Sequence, residues 1–172
     1  MEGYLAFGAV LLTSAAIYGL LTLALNLHYG YAGLLNFGHV AFFAAGAFAS
    51  AWSTLPPPGS PAYAGGYQIG LGLPVAAGLV AGGLAGGALA LLIGVTSVRL
   101  GGHYLAIATF ALAETFVVFL SNEEWLTRGE FGISTVPRPF ASQVSGTAHL
   151  LAILGFTLVV VIVGYLLLKR AT

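Results

Sequence analysis

Apolar positions in this chain neither alternate nor keep to one stripe; they run on. No charge falls between Tyr4 and Leu27, and further apolar runs extend from about Gly33 to Trp52, Pro74 to Val98, Tyr104 to Leu120 and His149 to Leu168. At about 1.5 Å per residue, a helix over the first run crosses a hydrocarbon core about 30 Å thick. A cleaved leader fits it poorly, because Glu2 stands where a basic region belongs and the run is too long. Leu55-Pro56-Pro57-Pro58-Gly59-Ser60-Pro61 cannot continue a helix and closes the second run, whereas Pro74 sits where a first helical turn tolerates its missing N–H. The pattern therefore predicts an all-α, polytopic transmembrane bundle of about five spans, with long polar loops at 53–73 and 121–148.

Composition supports that class. Of 172 residues, 59% are hydrophobic and 6% charged, where a soluble domain carries about a quarter charged residues. Five Lys and Arg balance five Asp and Glu, so there is no basic field for nucleic acid. The lack of cysteine excludes disulfides, thiolate catalysis and Cys-ligated metals. With Met1 outside, His28, the turn Arg99 to His103 and Lys169-Arg170 fall inside, a margin of three basic residues over two. An even number of spans, with one run re-entrant, is the alternative.

Small residues mark the expected helix contacts. Gly78, Gly82 and Gly86 recur every four positions, as do Gly83 and Gly87, and the second run carries Ala41, Ala45 and Ala49 flanked by Gly46 and Ser50. Such rows let backbones approach closely in lipid; lining a pathway is the other use they can have.

Between the first two runs, Asn26 to Phe43 is interrupted by glycines at 30, 33 and 38, asparagines at 26 and 36 and histidines at 28 and 39. From His39 to Trp52 a helix reaches only about 21 Å, too short to span alone. The second helix must start near Gly33 and bend at Gly38, or be discontinuous inside the protein, as substrate-handling helices of transporters are. An interfacial loop whose Asn and His merely satisfy backbone groups explains the same residues. Asn26, Asn36, Gly38 and His39 are the helix-break and pathway candidates.

Glu114 is the acid inside a predicted span, about 15 Å from Tyr104 along the axis, near a midplane where an acid costs about 2.5 to 3.5 kcal/mol. It is expected to face protein or water and to find its partner on another helix, with Asn26, Asn36 and His39 as candidates. It serves either as a pathway or gating residue or as a structural group pinning two helices. The histidines offer no i, i+4 pair and no adjacent carboxylate, so no metal is expected, and no cofactor. No nucleophile, base and oxyanion constellation occurs, and no phosphate-binding loop of the Walker type, so the chain itself is not expected to hydrolyse ATP.

Three blocks carry a family resemblance. Asn26 to Phe48 is similar to an LNL-x-x-GY-x-GL-x-x-x-GH-x-AF-x-x-GA pattern. Arg99-Leu100-Gly101-Gly102-His103-Tyr104-Leu105-Ala106-Ile107-Ala108-Thr109, continuing to Ala113-Glu114, is similar to RLRG-x-YLAIAT followed by AE. Leu126-Thr127-Arg128-Gly129-Glu130-Phe131-Gly132-Ile133 with Pro137-Arg138-Pro139 is similar to LTGG-x-NGI followed by IPRP. In this order they resemble the branched-chain amino acid ABC permeases of the LivH/LivM type. The third block departs from the pattern, since Arg128-Gly129-Glu130-Phe131 sets a charge pair where small and amide residues are usual.

The resemblance implies a multi-pass permease subunit in a bacterial plasma (inner) membrane. It implies a second permease subunit, two ATP-binding cassette ATPases that hydrolyse the ATP, and a periplasmic or lipid-anchored solute-binding protein. That protein would dock on the two long loops through Glu123, Glu124, Arg128, Glu130 and Arg138. The whole chain, 1–172, is expected to form a single permease domain, incomplete at its C-terminus because the segment that engages the ATPases would begin after Lys169-Arg170. Leu, Ile and Val are the implied solutes, with other amino acids, amides and urea carried by relatives. The rival reading is an ion- or proton-coupled carrier or channel that titrates Glu114; a packing protein without transport is a third.

Overall fold

The computed structural model describes residues 2–63, 67–97, 99–133, 136–139 and 146–171. Its elements are α1 (Glu2–Asn26), continued by a π turn (Leu27–Tyr31), then α2 (His39–Thr54), α3 (Val75–Ser97), α4 (Gly102–Asn122), α5 (Glu124–Thr127), a 3₁₀ turn (Gly129–Phe131) and α6 (Thr147–Ala171). No strand occurs among the described residues, and the all-α polytopic bundle expected from the sequence is what forms. Among the described residues, four stretches are long and apolar enough to cross a membrane: Gly3–Tyr31, Val75–Ser97, Gly102–Asn122 and Thr147–Arg170. Their apolar side chains are mostly uncovered, and in the α6 stretch none of the most apolar window is buried. Water would penalise that surface heavily; lipid does not. The fifth expected span, α2, has 16 residues and covers about 24 Å. It is short because its entry is not helical, as described below.

The chain divides into two compact units. One comprises Met1–Leu34 and Arg138–Thr172, in which α1 packs on α6. Its first helix overruns the expected end at Leu27 by four residues. Gly30 makes this possible, for a Cβ there would run into the Asn26 side-chain amide that occupies the space. The wide turn closes when Leu34 N donates to His28 O at 3.0 Å, with Gly33 at φ +66 supplying the left-handed step that ends the helix. Near the start of α6, His149 is buried and its Nε2 lies 2.8 Å from Pro139 O.

The other unit, Leu35–Pro137, is organised by the contact of α2 with α3. The row Gly78, Gly82 and Gly86 meets α2 as its spacing suggested. A Cβ on Gly82 would lie 2.8 Å from Gly46 O, and one on Gly86 3.0 Å from Phe42 O. The facing row on α2 is Phe42, Gly46, Ser50 and Thr54, including both flanking residues rather than the alanine series itself. Gly83 and Gly87 meet nothing within 4 Å and take no part.

The polar stretch after α2 folds back over its end. Leu71 N donates to Trp52 O (3.0 Å), Leu73 N to Ser53 O (2.8 Å) and Gly72 N to Leu55 O (2.8 Å), satisfying carbonyls that a helix C-terminus leaves without intrahelical partners. Ala51, Leu55 and Tyr67 form a small buried core there, with Tyr63 and Ile133 packed against it. Burial pushes the Tyr67 phenol above its ordinary range, and neighbouring Tyr63 adds to the shift.

After α4 the chain turns sharply. The Thr127 hydroxyl, fully buried, bonds Leu120 O and also Glu123 O (3.1 Å), and accepts from Gly129 N at 3.1 Å. Arg128 then takes φ +69, the one positive φ outside glycine among the described residues. That is where the LTGG pattern places its first glycine, and an L side chain there costs about 1 kcal/mol. Arg128→Gly is therefore expected to stabilise the chain by about 1 kcal/mol in detergent unfolding titrations; a destabilised variant would show that the Arg128 side chain contributes more than its backbone loses.

Candidate translocation and docking sites

Between the two helical runs, residues 33–36 are non-helical and a turn at Phe37 and Gly38 leads into α2. The second helix is thus discontinuous, the second of the two options the residues left open. Local bonds hold the break. Asn36 Oδ1 accepts from Gly38 N at 2.8 Å, and Asn36 O lies 3.1 Å from His39 Nδ1. A Cβ on Gly38 would stand 2.9 Å from Asn36 Oδ1 and 3.1 Å from Phe42 Cζ, so this corner is closed to a larger residue. Asn36, Gly38 and His39 are brought together, and Asn and His satisfy backbone groups while the helix is broken.

The break is anchored on α4. Phe37 N donates to Thr109 Oγ1 at 3.1 Å, and the Phe37 ring meets Phe110 edge-on with centroids 6.3 Å apart. Thr109 is fully buried, and its own hydroxyl proton goes to the helix carbonyls of Leu105 (2.8 Å) or Ala106 (3.1 Å). It is thus both a partner for a backbone N–H of the turn and a fixed point for the broken helix. Reading the sequence missed Thr109, although it ends the second resemblance block; a lone Thr in an apolar run gives no sign of which backbone it will meet.

Asn26 lies in the α1 unit, its side chain filling the gap over Gly30. Glu114 is on the exposed face of α4, away from the buried positions Leu105, Thr109, Ala113 and Leu120. Among the described residues no hydrogen bond or ion pair reaches its carboxylate, and Asn36 and His39 are engaged at the break instead.

The two loops chosen from the sequence converge. Trp52 Nε1, at the end of α2, donates to Leu126 O at 3.0 Å, tying the turn after α4 to the end of that helix. Glu123, Glu124 and Arg128 share this turn; Glu123 Oε2 accepts from Trp125 Nε1 at 2.5 Å, and Glu124 is exposed. Glu130 has its backbone in the 3₁₀ turn, while its side chain lies outside the described residues. Arg138 is exposed and belongs to the other unit. An open cleft of 590 Å³ beside α5 is lined by Tyr63, Tyr67, Gln68, Asn122, Glu124 and Trp125. Trp52 and Tyr67 were also missed: their structural roles depend on partners 74 and 11 residues away.

Four long, apolar, mostly uncovered helices define a multi-pass membrane protein, with a fifth, shorter helix entered through a non-helical, internally bonded break. Residues 9–172 match the family described as the permease component of branched-chain amino acid transport systems, and the chain belongs to that family. It is 35% identical over 143 residues to the high-affinity branched-chain amino acid transport system permease protein LivM of Escherichia coli, and 35% identical over 131 residues to LivM of Salmonella typhimurium. Those alignments cover 80% and 74% of this chain but only 29% and 27% of the relatives. No solved structure matches it.

Proposed function

We propose that the chain is a transmembrane permease subunit of an ABC importer for branched-chain or related amino acids, working in a bacterial plasma (inner) membrane. The observation that carries this is the family match over residues 9–172; the names of the two relatives supply the solute class. The broken entry to α2 supports it, because a helix interrupted within a bundle offers backbone groups to a passing solute. In this reading the chain pairs with a second permease subunit, two separate ATPases power the cycle, and an external solute-binding protein delivers cargo to the rim formed by the loops after α2 and α4. Isolating the tagged chain from its own membranes and measuring leucine uptake in proteoliposomes tests it. Uptake that needs ATP inside and the binding protein outside is expected; uptake that follows a proton gradient without ATPases would replace the importer by a proton-coupled carrier.

Two residue-level expectations belong to this reading. Glu114 faces away from its own packed unit, and an acid near the midplane costs about 2.5 to 3.5 kcal/mol if left to lipid, so it is assigned to a subunit contact or the solute path. Glu114→Gln should lower the uptake rate about tenfold with normal membrane levels; unchanged transport would remove the assignment. For docking, reversing Glu123, Glu124, Arg128, Glu130 and Arg138 together should cut binding-protein-dependent uptake by about tenfold or more. Uptake at the original rate would place the binding protein elsewhere.

A further inference from the structure

The cleft beside α5 has a chemistry that the importer reading does not use. Among the described residues its walls are the rings of Tyr63, Tyr67 and Trp125, with Gln68, Asn122 and Glu124 between them. The donors of these walls are largely committed to the protein. Tyr63 Oη donates to Tyr67 O (2.6 Å), Tyr67 Oη to Pro56 O (3.1 Å), Asn122 Nδ2 to Val118 O (2.8 Å) and Trp125 Nε1 to Glu123 Oε2 (2.5 Å). What remains is the acceptor capacity of the Asn122 carbonyl and the Glu124 carboxylate, the exposed Gln68 amide, which can accept as well as donate, and the rings of Tyr63 and Trp125, Tyr67 itself being buried. Among the described residues no Lys or Arg lines the cleft.

An anion entering here would meet Glu124 with no compensating cation. A purely apolar ligand would strip water from the carboxylate and return nothing. An ammonium group suits it, bringing three donors and no acceptor, a charge-assisted bond to a carboxylate, and attraction to ring faces. At 590 Å³ the cleft lies within the span of about 300 to 1,000 Å³ usual for small-molecule sites. Its frame is also fixed before any ligand arrives: Tyr67 is 1% exposed, and the Tyr63 and Tyr67 rings stand edge to face at 4.8 Å.

We propose that this cleft binds the primary ammonium group of a small amino compound, between the aromatic walls and the Glu124 carboxylate. That the compound is an amino acid awaiting transport rests on the importer reading; the preference for ammonium does not.

The full chain in nanodiscs reports on it directly, since it has two tryptophans, Trp52 and Trp125, and the second lines the cleft. Leucinamide, a cation, should quench the fluorescence saturably and at least about tenfold more tightly than N-acetyl-leucine, an anion of similar shape, with zwitterionic leucine between them. Trp125→Phe should abolish the signal, and Glu124→Gln should weaken leucinamide about tenfold while helicity and melting stay unchanged. Equal quenching by leucinamide and N-acetyl-leucine, or none by either, would overturn the site without recourse to a variant. Tighter binding of Nα-acetyl-lysinamide than of leucinamide would overturn the small-compound assignment and point to a lysine of a docked protein. Leucinamide binding by a chain that supports no ATP-driven uptake would sink the importer reading and leave this site standing.

Discussion

Thr109→Val leaves the shape of α4 unchanged and destabilises the chain by about 1 to 3 kcal/mol, because it removes the acceptor that Phe37 N uses. The two side chains are nearly isosteric, so the loss is one of hydrogen bonding rather than packing. Phe37 lies in a turn outside any helix, so once the buried Thr109 hydroxyl is removed its N–H loses its partner and bears the desolvation penalty. Amide exchange at Phe37 should accelerate by about tenfold or more, while exchange in the middle of α3 stays slow. Thr109→Ser, which keeps the hydroxyl, should restore most of the protection. If Val and Ser variants exchange alike, the bond at 3.1 Å is not what holds the break. The same substitution should lower solute uptake, since the broken segment is fixed to α4 by this hydroxyl and the Phe37–Phe110 ring contact.

The residues that announced themselves in the sequence were those whose chemistry is local. Charge-free runs placed the long helices because length and polarity alone decide what lipid accepts. Gly30, Gly33, Asn36 and Gly38 announced a break because a left-handed step and a side chain bonding its own backbone two residues on act within a few positions. How the break would resolve was not legible, since its outcome depends on Thr109, 72 positions away. The glycine rows show the same division. Two rows on one helix, Gly78/Gly82/Gly86 and Gly83/Gly87, look alike in sequence, yet only the first meets α2. Spacing states that a face is smooth; it does not state which face is used.

The loops illustrate a subtler limit. Their charges suggested docking, whereas much of what they do within the chain is to close the end of α2: backbone groups at 71–73 serve as its cap, and Trp52 reaches Leu126. Arg128 shows the same division. Its charge made it a docking candidate, and its φ of +69 shows a backbone position that favours glycine. The departure from the LTGG pattern is therefore a change in local backbone energy as well as in charge.

The largest packing effect is expected at the α2–α3 crossing, where two variants one residue apart should behave oppositely. Gly82→Leu puts a Cβ 2.8 Å from Gly46 O and 3.3 Å from Ser50 Cβ. The closest obstacle is backbone, so no rotamer relieves it and the helices must separate. Overpacking of this kind costs about 1 to 3 kcal/mol, and the upper end is expected because association in lipid depends on close van der Waals contact. Gly83→Leu meets nothing within 4 Å and should change stability by no more than about 0.5 kcal/mol. Paired unfolding titrations in SDS-containing mixed micelles measure the difference. Equal losses would mean that glycine content, and not the face it presents, sets the stability of α3. A disulfide between cysteines placed on α2 and α3 should form more slowly in Gly82→Leu than in Gly83→Leu, which ties the energetic loss to the separation of these two helices rather than to unwinding of α3.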